Sequence, residues 1–192
     1  MYHPRKPDQI PVVFDCSAVF ENESLNKHLL QGPDLLNSLV GVLTCFRKEE
    51  VAFSCDVKKM FHSFYVNPKH RDFLRFLWFE DDNLNKPIVE FRMDVHLFGA
   101  GSSPGVANFC LGQTGESKQQ QYGDETADFL KRDYYVDDGL TSVPKLEKAI
   151  EIIKKSQEMC ASDNLRLHKF ASNKKEVLEA LLPEDRAKDL KD

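Results

Sequence analysis

Apolar residues along the chain change their period several times, and each change marks an element. "IPVVFD" (10–15) reads as a strand, and Leu35, Leu36, Leu39, Val40, Leu43 and Phe46 follow at helical spacing after a Pro33-Asp34 start. "VAFSCD" (51–56) predicts a short buried strand ending in Asp56. Two aromatic-rich runs, "FLRFLWF" (73–79) and "IVEFRMDVHLF" (88–98), flank the polar "EDDNLNKP" and predict a hairpin. "SSPGVANFCLG" opens a helix at Ser103-Pro104, where the missing N–H of proline costs nothing, and a polar helix follows around 116–132. "YYVDDGLTSV" predicts a second, tighter hairpin with Asp137-Asp138-Gly139 as turn material. Leu146, Ala149, Ile150, Ile153 and Cys160 then share one helical stripe, and "LRLHKF" (165–170) returns as a strand.

With the aromatic hairpin set aside as an insertion, the order is β (51–56), α (103–132), β and β (133–143), α (144–162), β (165–170). This is the split βαβ order of an α+β, ferredoxin-like βαββαβ sheet with both helices on one face. In that topology the strand ending at Asp56 lies beside the hairpin bearing Asp137 and Asp138. Taken alone, "YVDDG" is a solvated turn whose two like charges repel. A third carboxylate changes its chemistry, because three acids on one edge can hold two Mg²⁺ ions about 3.5–4 Å apart. Such a pair favours in-line displacement at phosphorus, with positioning and electrostatics carrying most of the catalysis. A nuclease, a phosphatase or a nucleotidyl cyclase would share that geometry.

Composition narrows the classes. With 192 residues, 41% of them hydrophobic, and a formal charge of −5, the chain is an ordinary globule of one domain or one domain with a lobe. The acidic balance argues mildly against a phosphate backbone as partner, an objection weakened where charge collects in "EVLEALLPEDRAKDLKD". Five scattered cysteines without a C-x-x-C pair read as reduced thiols of an intracellular, cytoplasmic protein. "MYHPRKPDQIP" lacks an apolar signal core and no run is long enough to span a bilayer, so secretion and a membrane are not expected.

Five segments in order, "VVFDCSAVFENESLNKHLLQGPDLLNSL", "FSCDVKKMFHSFYV", "FRMDVHLFGAGSSPGVANF", "YYVDDGLTSV" and "LRLHKFASN", carry a family likeness. The chain resembles a reverse transcriptase, most closely that of the BEL/Pao group of long-terminal-repeat retrotransposons, over almost its whole length. The resemblance implies a right-hand polymerase fold, divided as fingers (1–50), palm with the first aspartate strand (51–66), a fingers-type hairpin insertion (67–98), palm (99–172), and a C-terminal helix and tail (173–192). It implies an RNA-directed DNA polymerase that adds dNTPs to a primer on an RNA or DNA template, within a polyprotein carrying RNase H and integrase regions downstream. The same resemblance makes Asp56, Asp137 and Asp138 the catalytic and metal-binding acids, with the Val57 carbonyl completing the site for two Mg²⁺ ions or Mn²⁺ in their place. Phe61 falls at the aromatic gate against a ribose 2′-hydroxyl, and Gly99 with Ser103-Pro104 falls where the second motif lies along the nucleotide and template. Lys169, or instead Lys174 or Lys175, falls near the triphosphate. Departures accompany the match. Pro11 stands where many relatives carry an arginine, leaving Arg5 and Lys6 as substitutes, Phe98 precedes the second-motif glycine, and "LGQT" replaces a segment expected to be basic. Pro11, with a chain that ends soon after the palm, favours a competing expectation, an inactive retrotransposon-derived remnant or nucleic-acid-binding module, while the carboxylate triad favours the enzyme.

Overall fold

The computed structural model describes residues 14–30 and 32–188. In chain order it carries helices α1 (Leu25–His28) and α2 (Leu39–Phe46), strand β1 (Val51–Val57) and the hairpin strands β2 (Arg75–Phe79) and β3 (Ile88–Arg92). Helices α3 (Ser103–Ser117), α4 (Gln119–Tyr122) and α5 (Asp124–Arg132) follow. Strands β4 (Tyr134–Tyr135) and β5 (Asp138–Val143), helix α6 (Leu146–Ala161), strand β6 (Leu167–Ser172) and helix α7 (Lys175–Glu179) complete the chain. This is an α+β architecture. Arg5, Lys6, Pro11 and most of the strand expected at 10–15 lie outside the described residues.

One antiparallel sheet has the order β4-β5-β1-β6, so each long helical connection straddles a strand from elsewhere in the chain. That is the order a split βαβ reading requires. Alternation explains why β1 sits in the middle. Val51, Phe53, Cys55 and Val57 are buried, while Ala52, Ser54 and Asp56 occupy the opposite, half-open face. The buried face meets α6 through Ala149, Ile152, Ile153, Ser156, Met159 and Cys160, a stripe at helical spacing. Leu111, Phe129, Leu130, Tyr134, Leu167 and Phe170 complete one continuous core. A smaller cluster of Cys16, Leu74, Leu97 and Ala100, with Phe14, Val66 and Met93 against it, roots the β2–β3 hairpin. Phe14 meets Phe76 edge-on at 5.3 Å, and Phe76 stacks on Phe91 at 5.7 Å.

Several boundaries differ from the sequence expectation, each for a local reason. The helix expected after Pro33-Asp34 begins at Leu39, because the Ser38 hydroxyl accepts from the Gly41 N–H and caps it there. The Asp34 carboxylate instead accepts from the Leu36 N–H in a local turn. Phe73 and Leu74 belong to a 3₁₀ turn (Pro68–Leu74) led by Pro68, and the return strand stops at Arg92 rather than 98. The long crossover helix is broken at Gly123, whose φ of 92° is outside the helical region.

Candidate active site

Asp56 is placed by the β1–β5 register, which sets it directly opposite Asp138. The hairpin itself turns one residue earlier than expected. Tyr135 pairs with Asp138, so Val136 and Asp137 form a two-residue turn and Asp138 already belongs to β5. Val136 takes φ 55°, a left-handed conformation that a β-branched residue adopts only where its surroundings hold it. What holds it is visible in two contacts. The Val57 N–H donates to the Asp137 carbonyl at 3.0 Å, tying the turn to the end of β1. Tyr134, 1% exposed, is wedged under Gly139 and its hydroxyl lies 3.1 Å from Cys55 Sγ. A Cβ at position 139 would lie 2.6 Å from the Tyr134 ring, so glycine is required by this close approach.

The electrostatics follow from that crowding. Partial burial, then Asp137, then Asp56, pushes the Asp138 carboxyl above its ordinary range, and only Lys169 pulls it back. Burial raises the Cys55 thiol to about 12, so it is an inert neighbour and not a nucleophile. Asp56 is itself fully engaged. Its Oδ1 is 2.9 Å from His168 Nε2 and its Oδ2 is 2.5 Å from Lys169 Nζ. The donor set is chemically suited to a hard divalent cation, being carboxylate oxygen throughout. Its arrangement is closed onto lysine, and among the described residues no group of three or more His, Cys, Asp or Glu side chains is gathered as a ready metal site.

Of the three lysines that sequence reasoning left open, Lys169 is the one at Asp56. Lys174 pairs with Glu50 at 2.7 Å, at the other end of β1 and roughly 20 Å away by strand rise. Lys175 pairs with Glu179 on α7. His168 was not anticipated, although alternation with the buried Leu167 puts it on the face that carries Asp56, and the two are cross-strand partners.

Phe61 opens a 3₁₀ turn (Phe61–Ser63) just beyond β1 and is 5% exposed. Phe98, 44% exposed, covers it edge-on at 4.5 Å. Gly99 has φ 95°, and a Cβ there would come 2.2 Å from the Phe14 carbonyl oxygen, so the close approach it permits is to the chain's own backbone. Asn26 fastens this loop by donating to the Gly99 carbonyl at 3.1 Å and accepting from the Gly101 N–H at 2.9 Å. Ser103 and Pro104 start α3 as expected. The Ser103 Oγ and both polar atoms of the Asn108 amide are buried there without hydrogen-bond partners among the described residues. A cleft of about 260 Å³ lies at this helix start, lined by Pro33, Asp34, Leu36, Gly101, Pro104 and Gly105. Its backbone suits an anion, while the Asp34 carboxylate opposes one.

Among the described residues no helix is long and apolar enough to cross a membrane. No protein-family model matches the chain, and comparison with curated proteins returns no match.

Proposed function

We propose that the chain forms the fingers and palm of an RNA-directed DNA polymerase of the reverse transcriptase type. The observation that carries this reading is the register of β1 against β5, with Asp56 opposite Asp138 and Asp137 in the adjoining turn. The β4-β5-β1-β6 order supports it as a ferredoxin-like palm sheet, with the β2–β3 hairpin as a fingers element. Asp56, Asp137, Asp138 and the Val57 carbonyl would hold Mg²⁺ or Mn²⁺, which would supply activation of a primer 3′-hydroxyl and charge stabilisation of the leaving pyrophosphate. The chain's own contribution is positional. Tyr134 and Gly139 fix the spacing of the acid hairpin from β1, and α3 presents its N-terminus to a phosphate. Phe61, with Phe98 edge-on against it at 4.5 Å, is the ring that would face the incoming sugar and disfavour a 2′-hydroxyl. The partners are a primed template and dNTPs, in an intracellular polyprotein with RNase H and integrase regions downstream.

One observation favours a second reading. Lys169 already neutralises Asp56, as a catalytically inactive, nucleic-acid-binding remnant of such an enzyme would tolerate. Mg²⁺-dependent extension of a primed RNA template with dNTPs decides between them, with Asp137→Asn as the blank. Extension that the substitution abolishes is the expected result. Retained binding of primer–template with no extension under Mg²⁺ or Mn²⁺ would leave only the remnant.

A further inference from the structure

We infer that Lys169 is an internal cation seated on Asp56, which a divalent ion must displace, and that His168 is the positioning residue that keeps the carboxylate aimed once the lysine leaves. The inference rests on the metal-binding part of the polymerase reading and concerns how that site is kept closed.

Its basis is the way β6 brings two consecutive residues onto one carboxylate. In a regular strand, neighbours point to opposite faces, so His168 and Lys169 could not both reach Asp56. They do so because Lys169 has φ 53° and the β1–β6 register shifts between Ser54 and Asp56. That is the geometry of a β-bulge, in which the left-handed residue is ordinarily glycine. A lysine held in that conformation beside an acid cluster is strain placed where a contact is needed. Without the bulge, position 169 would fall on the buried face, between Leu167 and Phe170 of the core.

The two partners differ in character. His168 is the cross-strand neighbour of Asp56, its side chain 18% exposed, and its Nε2–H donates to Oδ1. Lys169 is 57% exposed, on a flexible stem, and reaches the other oxygen. The imidazole is therefore the fixed anchor and the ammonium the exchangeable one. Removing Lys169 leaves Asp56 held only by His168, with Asp138 across the β1–β5 register and Asp137 in the adjoining turn. An entering divalent ion would supply the positive charge that the lysine gave up. One ammonium is exchanged for one cation, with no bond made or broken.

The test is a calorimetric titration of the full chain with Mn²⁺ alone, needing neither template nor turnover. Lys169→Gln is expected to bind about fivefold more tightly than the unaltered chain, the scale of one exposed ion pair. Lys169→Arg keeps the cation and should titrate like the unaltered chain. His168→Ala should bind several-fold more weakly, with His168→Gln, which retains an N–H donor, restoring part of the loss. Asp56→Asn should bind at least tenfold more weakly. If Asp56→Asn loses binding while Lys169→Gln does not gain it, the lysine is no competitor and the inference falls while the metal site stands. If every variant titrates alike, or none binds, the carboxylates hold no ion and the polymerase reading fails with the inference. Lys169→Gly, which suits the left-handed backbone, serves in place of glutamine should that variant disturb β6, and unchanged far-ultraviolet circular dichroism qualifies each protein for comparison.

Discussion

Phe53, Phe129, Tyr134 and Phe170, in the layer behind the acids, are each at most 2% exposed, whereas Phe73, Leu77 and Leu84 of the hairpin lobe leave 66–70% of their surface in water. The first region closes its core with segments far apart in the chain, β1, α3, α5, α6 and β6. The second is a two-stranded ribbon rooted in four buried residues. Such a ribbon is marginal by itself, and ion pairs hold it together at the edge. Arg75 and Arg92 face each other across the strands, a destabilising pair that Asp72 bridges at 3.2 and 2.7 Å. Arg92, ahead of Arg75, lowers the Asp72 carboxyl below its usual value. The contrast teaches a division of labour. The acids stand on the part with the larger core, and the aromatic surface is carried by the part with the smaller one.

Four substitutions break or sharpen this contrast, from largest effect to smallest. Phe53→Ala opens a cavity at the centre of the main core and should cost about 3–5 kcal/mol in denaturant unfolding followed by circular dichroism. Leu97→Ala in the small cluster should cost about 2–4 kcal/mol. Its effect should appear chiefly in the fluorescence of Trp78, the only tryptophan and a residue of β2. Equal shifts in the two signals would show one cooperative unit and end the distinction. Asp138→Asn should raise the melting temperature at pH 7. A carboxyl whose folded pKa lies above its unfolded value of about 3.8 weakens the fold when ionised, so the gain should vanish as pH falls through the raised value. Leu77→Ser, on a side chain 68% exposed, should stay within about 0.5 kcal/mol while improving solubility at high concentration.

Periodicity fixes most of the first region and less of the second. The alternation of β1, the stripe on α6 and the order of elements were enough to put Asp56 beside the acid hairpin, because long-range burial and period-two faces leave few alternatives. The bulge at Lys169 was not legible, since nothing in "LHKF" announces a left-handed lysine. Nor was the turn at Val136-Asp137, where tertiary contacts override a sequence that offers Asp-Asp-Gly as the better turn. Ahead of α2, which packs on β5, Leu35 and Leu36 fit a helical period yet stay outside the helix, because the Ser38 cap decides where it starts. His168 was within reach of the same alternation argument that placed Asp56.

Tyr134 gives the molecule an optical property. Burial, with Cys55 beside it, pushes its phenol well above the ordinary tyrosine range. In alkaline solution it therefore keeps the absorbance of a neutral phenol where an exposed tyrosine has already become phenolate. The ring meets hydroxide once the packing of β4, β5, β1 and α5 around it opens. Its ultraviolet difference spectrum is thus an unlabelled alarm for opening of the core that backs the Asp56–Asp138 register.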